Sequence, residues 1–355
     1  MKVVLLRGHN VNPWDLRPWE RLDGRFDVTV LVTGSNRFDT SSLGLRQERV
    51  ASLRDRVRSD LAATAVGDRY LGLARRLEGA DVVHSAELGV WFSRQPALLK
   101  RRLGFRLVLT VWETIPFRAT YRAFRGRRYR EETIPEVDLF LAATERARDC
   151  LLLEDVPAER IEVCPPGVDT ELFAPGPASG ERLVVSPGRL VWEKGHQDVL
   201  RALAALRRGV VAGEPPRLAI VGTGPEEGRL RRYAADLGVD DLVEFLGGVA
   251  YEQMPAVLAR AACVVLASLP TPLWEEQFGM VLAEADAAGV PVVAAASGAI
   301  PEVVGDRGAL FRPGDWVGLA RLLASPPERH PAPPRFTASA AAERLAAAYE
   351  RVLAR

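Results

Sequence analysis

What most limits the fold of this chain is a rhythm. Short apolar runs alternate with helix-length amphipathic stretches from one end to the other. Runs at 2–6, 27–33, 81–84, 106–111 and 138–143 read as buried strands in the first half. Runs at 182–186, 217–221, 242–246, 263–267 and 291–295 repeat the pattern in the second. Between them lie amphipathic stretches at 68–78, 88–102, 194–208, 226–237, 251–260, 279–288 and 315–323. Strand and helix in strict alternation are the mark of parallel α/β units. The pattern predicts two doubly wound, Rossmann-like α/β domains. In such sheets ligands sit at the carboxyl ends of the strands, so the two sheets should face one another across a binding cleft.

A length of 355 residues suits two domains with a core each. The Pro/Gly-rich stretch Cys164–Gly180 marks the division. The expected organisation is an amino-terminal domain over 1–165, a linker over 166–180 and a carboxy-terminal domain over 181–330. A second Pro-rich break at 325–334 sets off an Ala-rich helix, 338–353, within the final segment 331–355.

Composition excludes several classes. With 47 Lys plus Arg against 46 Asp plus Glu, the net charge of +1 gives no global basis for nucleic-acid binding, and none is expected. Cys150, Cys164 and Cys263 form no CxxC pair, which argues against a disulfide framework or a zinc knuckle and suits a reducing compartment. The first apolar run is too short for a signal sequence, and no run approaches the roughly 20 residues that span a bilayer. A cytoplasmic protein is expected, at most peripheral at the inner face of the membrane.

Two segments carry candidate chemistry. In Glu276–Glu284 a helix starting near Gly279 would present the free amides of Phe278, Gly279 and Met280, a ready anion site. Glu276 lies just ahead of that mouth, and Glu284 about 7–8 Å along the axis. Carboxylates accept hydrogen bonds from sugar hydroxyls, so a nucleoside diphosphate sugar suits both ends. In Ser186–Gly195 a strand gives way to a helix, placing Arg189 and Lys194 together; a planar guanidinium and a point-charge ammonium suit a diphosphate. The Gly222–Gly228 turn has GxGxxxG spacing with Pro225 inside it and is not a dinucleotide fingerprint. There is no P-loop, GxSxG, HExxH or DxD. His9, His84, His196 and His330 show no metal-ligand spacing. No metal and no cofactor are expected, and a diphosphate must then be neutralised by protein cations and amides.

These residues resemble a known family. The runs Gly188-Arg189 and Glu193-Lys194-Gly195, the stretch Pro165–Phe173 and the Glu276-x7-Glu284 spacing are similar to retaining family-4 glycosyltransferases. So are Ala287–Val293, Ser297–Glu302 and Phe311–Asp315. The likeness is specific over about 160–325 and only topological over 1–160. It implies the GT-B architecture and transfer of a hexose from a nucleoside diphosphate sugar to a hydroxyl acceptor by front-face displacement. It implies that Arg189 and Lys194 hold the diphosphate beside Gly188, that Glu276 contacts the donor sugar with Phe278, Gly279 and Met280 nearby, and that Glu284 binds the ribose. It places Val249 beside the base, and Gly8 with His9 and Asn10 near the diphosphate and the acceptor. It also implies that the last helix folds back on the amino-terminal domain. Many members carry a histidine after the strand that ends here at Val111; this chain has Trp112 and Glu113, a stacking surface and an acceptor-side contact. A nucleotide-sugar epimerase, a sugar phosphorylase and a non-catalytic nucleotide-sugar scaffold remain as alternatives.

The acceptor is a sugar, a lipid or a natural product. From Lys100 to Arg130 ten basic residues face one acid, Glu113, with Tyr121, Phe124 and Tyr129 interleaved. Two readings stand: a surface for an anionic membrane or a phosphorylated acceptor, or a solvated helix in an Arg-rich protein.

Overall fold

The computed structural model describes the chain apart from residues 23, 58–66, 68, 177–179 and 330–332. The start of the stretch expected at 68–78, part of the linker, part of the second Pro-rich break and His330 therefore lie outside the described residues. The chain forms two compact units: Met1–Gly167 with Thr337–Arg355, and Val168–Phe336.

The first unit holds a seven-stranded, all-parallel sheet. Its strands are β1 (Lys2–Leu6), β2 (Asp27–Thr33), β3 (Arg46–Val50), β4 (Val82–Ala86), β5 (Arg106–Val111), β6 (Leu139–Ala142) and β7 (Ile161–Val163), in the order β3-β2-β1-β4-β5-β6-β7. Successive residues of a strand face opposite sides, and both sides here are apolar. Val4, Leu6, Val83, Leu107, Leu109 and Phe140 build one core. Val3, Leu5, Val82, Val108, Leu139 and Leu141 build the other. The last helix, Ala338–Ala354, completes the second core with Leu345, Ala348, Tyr349 and Val352.

That helix is pinned by a buried polar chain. Trp19 Nε1 donates to the Tyr349 hydroxyl at 2.7 Å, and that hydroxyl lies 2.6 Å from His84 Nδ1. His84 Nε2 lies 2.7 Å from Thr110 Oγ1. Burial, reinforced by the Arg7 charge, holds the His84 imidazole neutral well below its usual range. A neutral ring protonated on Nε2 satisfies every member: Trp19 gives to Tyr349, Tyr349 to His84, and His84 to Thr110.

The second unit holds a six-stranded parallel sheet: β8 (Leu183–Pro187), β9 (Arg217–Val221), β10 (Val243–Gly247), β11 (Ala261–Leu266), β12 (Val292–Ala295) and β13 (Gly308–Phe311). The order is β10-β9-β8-β11-β12-β13. Both orders reverse once, at β1/β4 and at β8/β11. The loops leaving neighbouring strands diverge there and leave a crevice at the carboxyl ends.

All ten anticipated strands are present within about two residues of their expected limits. The three further strands are all at sheet edges, β3 and β7 in the first sheet and β13 in the second. The sequence of β3, Arg-Gln-Glu-Arg-Val, is largely solvated, as an edge strand that must not pair with another chain should be. No helix among the described residues is long and apolar enough to cross a membrane.

Candidate functional site

The crevice between β8 and β11 assembles three segments far apart in sequence. After β8 the chain runs through Gly188 and Arg189 into a single 3-10 turn, Trp192–Lys194, and then the helix His196–Arg207. After β11 it passes Ser268 and a closed turn, where the Thr271 amide donates to the Trp274 carbonyl at 2.7 Å, before reaching Glu275 and Glu276. The third segment is the loop after β12, Ser297–Ala299, whose Ala299 amide donates to the Glu276 carbonyl at 2.9 Å.

Two glycines make this closeness possible. Gly195 has φ of +70°, and a Cβ there would overlap the Ala267 carbonyl oxygen; Gly298 has φ of +55°, and a Cβ would overlap that of Glu276. Any larger residue would push the three segments apart.

Lys194 and Glu276 meet directly. The ammonium lies 2.6 Å from Glu276 Oε2, and Ser268 Oγ donates to the same oxygen at 2.8 Å. Both bonds fall on Oε2, so Glu276 Oε1 has no partner among the described residues. The Trp274 ring lies 5.1 Å from the Lys194 nitrogen, close enough for a cation–π contact. Lys194 and Glu276 are largely enclosed, with side chains 14% and 10% exposed.

The helix expected near Gly279 is Met280–Ala287, with Gly279 in the left-handed conformation as its N-cap and no side chain capping it. Its leading amides remain available to an anion. Phe278 is buried edge-on against Phe336, with ring centroids 5.1 Å apart. Glu284, in the middle of the helix, is buried with no hydrogen-bond partner among the described residues. Burial pushes its carboxyl up to about 7. A carboxyl in that state lacks hydroxyl or amide donors, which a ligand can supply.

Arg189 differs from its expected companion. The residue is exposed, and its guanidinium makes no hydrogen bond, ion pair or ring contact with another side chain among the described residues. Only its backbone is fixed, its carbonyl lying 3.3 Å from His196 Nε2. His196 was not singled out from sequence, since a lone histidine at a helix start has no local signature. It is buried, its Nδ1 lies 2.9 Å from Ser186 Oγ, and burial with the neighbouring Lys194 charge lowers its pKa to about 4. Val249 follows β10, an edge strand of the sheet, and is half-buried there.

In the first unit, Gly8, His9 and Asn10 follow β1 at the β1/β4 crevice. The Gly8 amide donates to the Tyr70 hydroxyl at 2.9 Å, and the Asn10 amide closes a turn on the Arg7 carbonyl at 3.1 Å. Trp112 and Glu113 follow β5. Glu113 is buried and occupied within the protein: Oε1 accepts the Thr114 and Ile115 amides at 3.1 and 2.9 Å, and Oε2 pairs with Arg118. The excess charge counted over 100–130 is largely compensated by acids beyond that window. Arg122 and Arg130 pair with Glu154, Lys100 and Arg106 with Asp138, Arg127 with Glu131, and Arg128 with Glu132. Two large side chains there remain exposed, Phe117 at 51% and Phe124 at 82%. Among the described residues no group of three or more His, Cys, Asp and Glu side chains is placed to hold a metal ion.

A pair of doubly wound parallel-sheet domains is the GT-B architecture. Residues 168–339 match the family described as Glycosyl transferases group 1, and residues 20–172 match Glycosyltransferase Family 4. The chain belongs to the family-4 glycosyltransferases. It is 31% identical over 317 residues to an MMP alpha-(1->4)-mannosyltransferase of Mycolicibacterium hassiacum, a match covering 80% of this chain and 73% of that protein. It is 42% identical over 161 residues to a GDP-mannose-dependent alpha-(1-6)-phosphatidylinositol monomannoside mannosyltransferase of Mycobacterium tuberculosis. That match covers 42% of this chain and only 41% of the relative's length. Among solved structures, Anabaena HepE in complex with UDP has a TM-score of 0.71 at 20% identity, over 99% of this chain and 96% of that one.

Proposed function

We propose that this chain transfers a hexose from a nucleoside diphosphate sugar to a hydroxyl acceptor, with retention at the anomeric carbon and without a metal ion. The observation that carries the reading is the Glu276 carboxylate. One oxygen is held by Lys194 and Ser268 and the other has no partner, beside an uncapped helix mouth. The free oxygen suits a sugar hydroxyl, the helix amides and Lys194 suit the diphosphate, and the unpartnered Glu284 suits the ribose hydroxyls.

In this reading the acceptor hydroxyl attacks from the face the diphosphate leaves, and the departing phosphate oxygen takes its proton. Negative charge grows on the diphosphate as the glycosidic bond stretches. Lys194 and the helix amides are the groups that stabilise it, and Arg189 helps to capture the diphosphate. The name of the tuberculosis relative makes GDP-mannose the first donor to try, and an inositol- or sugar-bearing polyol the first acceptor. The exposed Phe117 and Phe124, set among arginines, support peripheral contact with an anionic membrane.

The test is a thermal-shift screen of GDP-, UDP- and ADP-sugars, followed by a transfer assay in EDTA. A donor at 100 times its Kd stabilises the native state by about 2.7 kcal/mol. Stabilisation by none of them, at millimolar concentration, overturns the proposal.

A further inference from the structure

The loop after β5, which carries Trp112 and Glu113, is anchored by a residue that sequence reading passed over. Glu87 follows β4 at the crossover point of the first sheet, with a φ of +64°. Residues bearing a Cβ avoid this conformation, and exceptions concentrate where function needs them. The turn is held on both sides: the Glu87 amide donates to the Thr110 carbonyl at 2.8 Å, and Glu87 Oε1 accepts the Trp112 amide at 2.8 Å. No side chain donates to this carboxylate among the described residues.

The loop is thus fixed by two carboxylates acting in sequence. Glu113 gathers the amides of Thr114 and Ile115 and is itself paired with Arg118. Glu87 secures Trp112, the point where the loop leaves the sheet. We propose that Glu87 is a positioning residue for the loop Trp112–Ile115, gripping the Trp112 amide as a carboxylate and loosening it as a carboxylic acid. That this loop borders the acceptor rests on the function proposed above; the grip itself does not.

The chemistry supports such a switch. A charge-assisted hydrogen bond is roughly twice as strong as a neutral one, so protonation weakens the hold on Trp112 without removing it. Burial pushes the Glu87 carboxyl up to about 7, with the Trp112 amide opposing and the Glu113 charge adding to the rise. The other groups that face it are Arg118 of the same loop, Tyr121 of the helix Ala119–Arg122 and Cys150 of the helix Glu145–Leu153. Burial raises the Tyr121 hydroxyl further above neutrality and the Cys150 thiol to about 12. Neither changes charge near pH 7.

Hydrogen–deuterium exchange on the intact chain between pH 5.5 and 8.5 tests this directly. Protection of the Trp112 amide, corrected for the intrinsic pH dependence of exchange, should rise about tenfold through an inflection near 7. In Glu87→Gln, which keeps the shape but cannot ionise, protection should be flat. Glu87→Gly, whose backbone suits a positive φ, should keep its melting temperature and lose protection at every pH. A Glu87→Gln profile that tracks the unmodified protein, or no inflection in that protein, overturns the proposal. Thermal shifts with the GDP-, UDP- and ADP-sugars on the same samples keep the two readings apart. A response of the loop without any donor response would remove the proposed function and leave the role of Glu87 standing.

Discussion

Replacing Glu284 with Gln separates a functional carboxylate from a structural one. Burial raises this carboxyl from 4.5 to about 7 in the folded protein. Between those values the native state holds a proton that the unfolded chain has released, so stability falls as pH rises through this window. At about 1.4 kcal/mol per pH unit, the ionised group costs the fold about 3 kcal/mol at pH 8 and roughly 1 kcal/mol at pH 5. Glu284→Gln removes that cost and adds a cost for fitting an amide, which does not change with pH. The difference between its effects at pH 8 and pH 5 isolates the electrostatic part: about 2 kcal/mol more stabilisation at pH 8, read from urea unfolding in parallel buffers. Nucleotide binding should move the opposite way, because the amide is a poorer acceptor for ribose hydroxyls and Kd for GDP or UDP should rise at least tenfold. A stability change that is the same at both pH values would refute the argument from burial. A variant that gains stability yet binds nucleotide normally would refute the role given to the carboxylate.

Lys194→Ala should lower kcat by about 10²–10³, the usual effect of removing one donor to a developing oxyanion; turnover within a factor of five of normal would count against it. Arg189→Ala should instead raise KM for the donor and leave kcat within about tenfold, measured in the same assay. Tyr349→Phe leaves the Trp19 N–H and the His84 ring without their shared partner and should cost about 2–4 kcal/mol in urea unfolding. The same network makes the protein less stable as pH falls below 6.5, since the unfolded imidazole takes up a proton that buried His84 refuses. Phe124→Ser should abolish flotation with vesicles containing anionic lipid while leaving donor binding intact; flotation unchanged by the substitution would assign Phe124 no part in membrane contact.

The sheet was legible because buried parallel strands such as Val-Val-Leu-Leu at 3–6 and Leu-Val-Leu-Thr-Val at 107–111 are apolar on both faces, a pattern that needs no knowledge of their partners. Two edge strands of the first sheet were not, since β3 is charged and β7 has three residues. The site divides along the same line. Glu276, Lys194 and Gly279 stand beside strand ends and a helix start, features that local spacing reveals. Glu87, His196 and Ser268 gain their roles from partners that no periodicity reveals: a Trp112 amide 25 positions away after the next strand, an Arg189 carbonyl earlier in the same connection, and a Glu276 carboxylate reached through a turn of the same loop. The charge count over 100–130 overstates the local charge for the same reason, because the acids Glu131, Glu132, Asp138 and Glu154 that answer part of it lie outside the window.

The contrast drawn between Lys194 and Arg189 follows from how the fold treats two cations that the sequence presents as equals. The Lys194 ammonium is already seated by Glu276, against Trp274 and at the end of a short turn that Gly195 closes. Little conformational freedom remains for a ligand to remove, and its charge is in position before the phosphate moves. A group placed in advance adds its full electrostatic effect at the transition state. Arg189 has a fixed backbone and an unrestrained side chain. Ordering a guanidinium of that length costs up to about 2 kcal/mol, and binding the diphosphate must offset this before any gain remains. The first arrangement favours rate and the second favours capture and release. For that reason one substitution should appear in kcat and the other in KM.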